Sequence, residues 1–288
     1  MCVGADIAKI PFLFVCQIAN FINVLFQNSY ILIIGKLFSA EVTGLYFFAN
    51  KIQELAATQI TSSVQQATFP ALASLQDDNT QLRQRYRRII QIVSFIIAPI
   101  MLFLAVLAEP VFALLFEERW QGAVLYLQLL CLVGLFYPLH AMNVNILNVK
   151  GRSDLVLYVG IVKKLVNLGL LFAAIPYGVT GIIISRIIGS YFALLPNTYY
   201  SKRLIGYGLL EQVGDIAKPS LAALIAALVA WQITFFLADH HAIIQIAVVG
   251  TAAVALYVLL SKLIRAEGYS FLEGVLAPKL KRIFSNLK

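Results

Sequence analysis

Charged residues are scarce in this sequence. They make up 12% of its 288 residues, whereas hydrophobic residues make up 60%; a soluble domain usually contains roughly 25% charged residues. One soluble core cannot bury so much apolar surface. The apolar stretches are continuous and about 20 residues long, not alternating strands of about ten, and such stretches span a bilayer as α-helices. The composition therefore predicts an integral, all-α membrane protein.

Residues and motifs of common enzyme and metal chemistry are also lacking. The three cysteines, Cys2, Cys16 and Cys131, are far apart and form no CxxC pair, which argues against a disulfide framework or a metal site. The phosphate-binding GxxxxGK[ST], zinc-binding HExxH, nucleophile GxSxG and dinucleotide-binding GxGxxG motifs are absent. We interpret Asp77-Asp78 as a helix cap and not as a metal-binding pair. The sequence predicts neither an enzyme nor a cofactor.

The apolar stretches predict a bundle of about eight spanning helices. Their ranges are 11–34, 43–72, 89–107, 121–148, 154–175, 179–200, 217–238 and 242–263. Breaks are predicted at Pro70, Glu109-Pro110, Lys150-Gly151-Arg152 and Pro176-Tyr177-Gly178, because proline and glycine interrupt helices. Pro99 lies within the third stretch and should kink it.

The net charge of +8 is divided unevenly between alternate loops. One set of loops contains Arg83, Arg85, Arg87, Arg88, Lys150, Arg152, Lys202, Arg203 and Lys218, and the basic tail lies on the same side. The opposite loops contain only Lys36 and Arg119. The positive-inside rule therefore predicts cytoplasmic termini, and basic clusters of this kind give no reason to expect a nucleic-acid partner. Residues 83–88 should form an amphipathic start to the third helix at the anionic inner leaflet.

Three cations lie inside predicted spans: Lys163, Lys164 and Arg186. Charges within a membrane are costly and usually functional, and the neighbouring spans offer no Asp or Glu to neutralise them. A bound phosphate or diphosphate would do so. The alternatives are snorkelling toward the interface or pairing with amides such as Asn167. Because adjacent helical residues point about 100° apart, at most one of the two lysines points straight into a cavity.

Polar side chains also recur inside two of the predicted helices. In the first helix they form one stripe, which includes Asn20, Asn23 and Gln27. Asn50 and Gln53 begin a similar face on the second helix, and His140 lies in the fourth. Such residues either bond helices to one another or line a water-filled cavity, and the number of amides favours the cavity. For His140 a structural hydrogen bond and a role in proton coupling both stay open.

Several short motifs resemble those of Wzx-type polysaccharide and O-antigen flippases, in the multidrug/oligosaccharidyl-lipid/polysaccharide exporter superfamily. They are LIIGKLF at 32–38, VTGLY at 42–46, FPALA at 69–73, QDD at 76–78, AEPVFALLF at 108–116, Trp120, GRSDL at 151–155 and YGVTG at 177–181. Each motif is weak alone, but their order and spacing are specific. The resemblance covers about residues 10–210.

The resemblance implies the second lobe of a two-lobe flippase. The six helices of 11–200 would line half of a central cavity, 217–263 would be two accessory helices, and 264–288 a basic cytoplasmic tail. The first lobe would belong to a longer chain or to a partner. Many relatives carry an acidic residue where this sequence has Tyr30, so an ion-coupling role is not transferred to that position.

By resemblance, the chain would move an undecaprenyl-diphosphate-linked oligosaccharide across the bacterial cytoplasmic membrane, with that substrate and membrane lipids as its partners. Lys163, Lys164 and Arg186 would bind the diphosphate, and the amides would bind the sugars. A drug or cation antiporter is an alternative, but it should place acidic residues in the cavity. A membrane-embedded glycan polymerase should have a large outer loop, and a non-functional flippase fragment is a third alternative.

Overall fold

The computed structural model describes Phe26, residues 28–270 and Glu273. Within these residues the chain forms ten α-helices: α1 Ser29–Leu37, α2 Ala40–Ala73, α3 Asn79–Val106, α4 Ala108–Leu115, α5 Ala123–Gly134, α6 Tyr137–Val149, α7 Ser153–Ala174, α8 Gly178–Ile205, α9 Leu209–Phe236 and α10 Ala242–Leu263. Short 3-10 helices cover Glu118–Trp120 and Ile175–Tyr177.

Local sequence signals set several of the helix ends. The Asp78 carboxylate accepts hydrogen bonds from the backbone amides of Gln81 and Thr80, both at 3.0 Å, so the helix-cap interpretation is confirmed. These hydrogen bonds favour the charged carboxylate and hold the pKa of Asp78 below its usual value, and the amide of Gln81 has the largest effect. Gly151 and Gly178 make the turns before and after α7 with φ of 67° and 71°, a left-handed region that favours glycine.

Five helical stretches in the described part of the chain are long and apolar enough to cross a membrane. They are Asn79–Val106, Ala123–Val149, Ser153–Ile205, Leu209–Phe236 and Ala242–Leu263. The last matches its predicted range, whereas the predicted span 121–148 is divided between α5 and α6. Most of the first predicted span lies outside the described residues. The total of eight crossings therefore stays a prediction.

Three basic connections meet at one end of the bundle, which we call the basic end. The Lys150 ammonium, after α6, bonds to Asn79 Oδ1 at 2.5 Å and to the Gln76 carbonyl oxygen, both at the α2–α3 connection. Arg83 on α3 pairs with Glu211 in the first turn of α9 at 2.6 Å. The α2–α3, α6–α7 and α8–α9 connections are thus neighbours in space, as the alternation of charge predicts.

An aromatic cluster packs where α2, α4 and the Glu118–Trp120 turn meet. The ring of Phe48 lies 5.8 Å from that of Phe112, 4.9 Å from that of Phe116 and 4.5 Å from that of Trp120. Three of these rings belong to the AEPVFALLF motif and the tryptophan after it. That motif is therefore explained by packing between helices.

The helix α9 begins at Leu209, eight residues before the predicted start at 217, and this boundary was wrong. The polar residues that suggested a loop are satisfied by tertiary partners. The Asp215 carboxylate accepts two hydrogen bonds of 2.6 Å from Arg87 and one of 2.7 Å from Tyr207. Its side chain is only 7% exposed. The arginine-rich start of α3 therefore binds another helix, and its place at the membrane surface stays a prediction.

The last two helices pack closely on α3. The α9 residues Ala222, Ala223, Ala226 and Ala227 are buried against a cluster that includes Phe95 of α3. The Tyr257 hydroxyl of α10 donates to the Phe95 carbonyl oxygen at 2.7 Å. Small residues let helix backbones approach closely in a membrane, so this alanine stripe positions α9 and α10.

The Arg87–Asp215 contact gives the first testable prediction. Arg87→Met should lower the apparent melting temperature of the purified protein in detergent, because it leaves a largely buried carboxylate without its cation. Since Arg87 is half exposed, we expect a loss of about 1–3 kcal/mol. The control is Arg85→Met, an exposed arginine on the same helix. Equal melting temperatures for the two variants would contradict the structural role of this ion pair.

Candidate binding cavity

A cavity of about 410 Å³ lies between α7 and α8, with α1 and α6 completing its wall. Its lining includes five of the predicted site residues: Lys163, Lys164, Asn167, Arg186 and His140. On α7, residues 160, 163, 164 and 167 follow helical spacing, as do 186, 190 and 193 on α8. Two helices thus bring residues that are distant in sequence to one surface.

Neutral polar groups hold Arg186 in place. Its Nη1 donates to the Tyr46 hydroxyl at 2.9 Å and to Asn50 Oδ1 at 2.6 Å, both on α2. The guanidinium carbon lies 5.4 Å from the centre of the Tyr30 ring, a cation–π distance. These bonds use one nitrogen of a group with five N–H donors. Arg186 is therefore anchored by groups that do not cancel its charge.

The other two cations lie across the cavity on α7. Lys163 Nζ donates to Asn197 Oδ1 at 3.3 Å, and the Lys164 ammonium lies 5.3 Å from the centre of the Phe26 ring. In the described part of the chain no Asp or Glu forms an ion pair with Lys163 or Arg186. None of the described residues that line the cavity is acidic. The cavity thus has an electrostatic preference for an anion.

His140 lies between Asn197, the partner of Lys163, and Ser190 in the lining of the cavity. Its Nδ1 is 3.0 Å from Asn197 Nδ2, and its Nε2 is 3.0 Å from Ser190 Oγ. Asn197, which binds Lys163 through its oxygen, is fully buried. The four side chains form one continuous hydrogen-bonded chain across α6, α7 and α8. His140 therefore has the structural hydrogen bonds that one of the two interpretations predicted.

The amides of the predicted second helix have separate roles. Asn50 is 8% exposed and binds Arg186, so it supports the cavity from behind. Gln53 is 4% exposed, and its amide lies against Gly134, where an added Cβ would come within 2.7 Å of Nε2. Gln53 is not among the residues that line this cavity. Asn20, Asn23 and Gln27 lie outside the described residues.

Sequence reasoning missed four residues of this site: Tyr30, Tyr46, Ser190 and Asn197. Ser190 and Asn197 follow Arg186 by four and eleven positions, so a helical wheel centred on Arg186 would have found them. Tyr30 was noticed only as a departure from the family pattern. Tyr46 ends the VTGLY motif, but nothing in that motif indicated a contact with Arg186, because a tyrosine among apolar residues of α2 is typical of a core.

Comparisons with known proteins agree with the resemblance. A family model described as "Polysaccharide biosynthesis protein" matches residues 11–125. The lipopolysaccharide biosynthesis protein WzxC of Escherichia coli is 30% identical over 136 residues, which is 47% of this chain and 28% of WzxC. The teichuronic acid biosynthesis protein TuaB of Bacillus subtilis is 27% identical over 140 residues, 49% of this chain and 29% of TuaB.

This chain is similar in sequence to polysaccharide biosynthesis proteins, WzxC and TuaB among them. The succinoglycan biosynthesis transport protein ExoT of Rhizobium meliloti extends the similarity, with 25% identity over 82% of this chain and 48% of ExoT. The matches span less than half the length of these relatives.

The fold of this chain is also that of a solved structure. The lipid II flippase MurJ, in an inward closed conformation, superposes with a TM-score of 0.71 at 15% identity. The superposition covers 96% of this chain and 57% of MurJ. Together with the apolar helices, this likeness identifies a multi-pass helical membrane protein of the flippase fold.

The anchoring of Arg186 gives the second prediction. Asn50→Leu removes one acceptor from the guanidinium, so Arg186 should become more mobile and react faster with phenylglyoxal. Mass spectrometry of the Arg186 peptide measures the rate in detergent-solubilised protein. Gln53→Leu is the matched control, because it removes a buried amide on the same helix that lies against Gly134. A faster reaction in both variants would show general loosening of α2 and would contradict a specific anchor.

Proposed function

We propose that this chain is part of a flippase that moves an undecaprenyl-diphosphate-linked oligosaccharide across the bacterial cytoplasmic membrane for polysaccharide or lipopolysaccharide assembly. One observation carries the proposal. The cavity presents Lys163, Lys164 and Arg186 within the helical bundle, and none of the described residues in its lining is acidic. Among the described residues no Asp or Glu forms an ion pair with Lys163 or Arg186, and such cations within a bundle favour an anionic partner.

The chemistry of these three cations suits a diphosphate. A guanidinium presents N–H donors in a planar fork that matches two phosphate oxygens, and an ammonium supplies a compact charge. Arg186 and the two lysines lie on different helices, so they can bind a diphosphate from two sides. A diester of diphosphate carries two negative charges, which would largely neutralise the site.

The walls of the cavity and of α7 suit the other two parts of such a substrate. Asn167 and Ser190 are neutral hydrogen-bonding groups in the lining and would bind sugar hydroxyls. Leu157 and Leu165 of α7 are 66% and 62% exposed, so apolar surface lies beside the charged cavity. The polyprenyl chain would stay in the bilayer along such a surface while the head group enters the protein.

Transport by alternating access requires a second lobe. The matches span less than half of the length of WzxC, TuaB and ExoT, and this supports a first lobe supplied by a longer chain or by a partner. The basic end would face the cytoplasm, with both termini on that side. In this role the chain catalyses no covalent chemistry and needs neither a metal nor a cofactor.

An antiporter for drugs or cations is less well supported. A cationic substrate or coupling ion needs a carboxylate where it binds, and among the described residues this cavity is lined by cations, amides, hydroxyls and apolar groups. The acidic residues Glu211 and Asp215 bind arginines at the basic end and do not line this cavity.

The third prediction tests the anion site directly. Arg186→Gln and Lys163→Gln should each weaken binding of an undecaprenyl-diphosphate-linked oligosaccharide to the chain in lipid nanodiscs by about tenfold or more, since each removes a charge-assisted hydrogen bond. Lys36→Gln, which removes an exposed lysine outside the cavity, should bind like the unaltered protein.

A second ligand tests whether the diphosphate is the part of the substrate that the cavity binds. The same glycan on undecaprenol, which lacks the diphosphate, should bind weakly to every variant. Equal binding of the two ligands to the unaltered protein would rule out diphosphate recognition. An unchanged affinity in Arg186→Gln with correctly inserted protein would rule out this residue as its centre.

A further inference from the structure

We propose that His140 is a proton-binding site of this cavity, and that the carboxamide of Asn197 couples its protonation to the release of Lys163 toward a bound anion. The inference rests on the proposed function, because it takes the anion site as given. It adds a coupled ion, which is a proton, and it names the residue that connects this proton to the substrate.

The direction of each hydrogen bond in the chain follows from Lys163. An ammonium group can only donate, so the oxygen of the Asn197 carboxamide must face Lys163, 3.3 Å away. The Asn197 amide nitrogen then faces His140 Nδ1 at 3.0 Å. Because this NH₂ group donates, Nδ1 must be the unprotonated nitrogen of a neutral imidazole. Its proton is at Nε2 and is donated to Ser190 Oγ, also at 3.0 Å.

A second proton on His140 cannot be accommodated in this arrangement. Protonation at Nδ1 would set an N–H donor against the NH₂ group of Asn197. Rotation of the carboxamide by half a turn would restore a hydrogen bond, with Asn197 oxygen now accepting from Nδ1. The same rotation turns the NH₂ group toward the Lys163 ammonium, where two donors meet. A protonated His140 and a Lys163 bound to Asn197 therefore exclude each other.

Protonation of His140 should therefore affect the anion site, because Lys163 lines the same cavity as Lys164 and Arg186. Once released from Asn197, its ammonium is available to an anion in the cavity. In the other direction, an anion that draws Lys163 away leaves Asn197 oxygen to His140 and favours protonation of the ring. Such coupling is reciprocal, so each ligand strengthens the binding of the other. The proton comes from hydronium in water: one of its O–H bonds breaks as the Nδ1–H bond forms, and a water molecule is left.

The charged groups that face His140 are cations, and their fields disfavour a positive charge on the ring as long as the cavity holds no anion. From α7, Lys163 is the cation whose field acts on the ring. Lys164 and, from α8, Arg186 face the same cavity. On α2, Lys51 and Glu54 pair with each other and are exposed.

The remaining helices packed against α6 place no further charged group beside His140. The arginines of α3 lie near its start, at the basic end, where Arg83 and Arg87 pair with Glu211 and Asp215 of α9, and α5 has no charged residue. A bound anion is thus the partner that would offset the charge of a protonated His140.

The fourth prediction concerns the protonation state of the ring. The sequence has three histidines, and His240→Gln with His241→Gln removes the two exposed ones outside the cavity. Nitrogen-15 NMR of the labelled full chain should then show a neutral His140 with its proton at Nε2 at neutral pH. A neutral ring with its proton at Nδ1 would overturn the proposed chain of hydrogen bonds without any reference to substrate.

The fifth prediction concerns anion binding as a function of pH. The probe is UDP-glucose, a soluble diphosphate diester with a sugar, whose diphosphate charge stays constant between about pH 5 and pH 8. Its affinity for the chain should rise as pH falls, by at most about tenfold per pH unit for one linked proton. His140→Gln should remove this slope. Asn197→Ala should show a much smaller slope, because its side chain can no longer link His140 to Lys163. Asn148→Ala, an exposed amide on α6, should keep the full slope.

The outcomes separate the inference from the proposed function. If the unaltered protein does not bind UDP-glucose at any pH, the anion site fails and the inference fails with it. Binding that does not vary with pH would leave the anion site standing and overturn the proton site. A full slope in Asn197→Ala would mean that His140 acts through its charge alone, which overturns the role of the carboxamide.

Discussion

The Arg186 guanidinium is held within the helical bundle by a hydroxyl, a carboxamide and an aromatic ring, and not by a carboxylate. This choice of partners fixes the position of a cation without cancelling its charge. A carboxylate at the same place would form a closed ion pair with little attraction left for a ligand. The neutral anchor instead directs the field of Arg186 into a cavity where α7 adds two lysines. The proposed binding of a diphosphate depends on this constraint.

At the basic end, by contrast, arginines are paired with carboxylates. Arg83 and Arg87 of α3 pair with Glu211 and Asp215 of α9, and the Asp215 carboxylate also accepts a hydrogen bond from Tyr207. These charges neutralise each other and hold two helices together. Arginines that look equivalent in the sequence therefore have different roles. The paired arginines position the helices, whereas the arginine anchored by neutral groups faces a cavity. In the second case the protein retains a charge that a substrate can use.

Much of the candidate site was predictable, because charges inside apolar stretches are conspicuous. Lys163, Lys164 and Arg186 were identified by hydropathy alone, and the structure brings them to one cavity. The amides were less predictable. Asn50 and Gln53 are three residues apart on one helix and look equivalent, yet one binds Arg186 and the other packs against Gly134. Which neighbour an amide meets depends on the rotation of adjacent helices, and periodicity within one helix does not contain that information.

The sequence by itself determined that this protein is a helical membrane protein, where most of its turns lie, and which of its connections share an end. These features follow from local causes: the length of apolar stretches, the conformations of Gly151 and Gly178, the cap at Asp78 and the alternation of positive charge. Tertiary structure alone decided that α9 begins at Leu209, that Tyr30 and Tyr46 contact Arg186, and that Asn197 links Lys163 to His140. Each of these depends on a polar group finding its partner on another helix. In a membrane such partners replace water, so the distant contact, and not the local sequence, decides whether a polar residue marks a loop, a structural bond or a site.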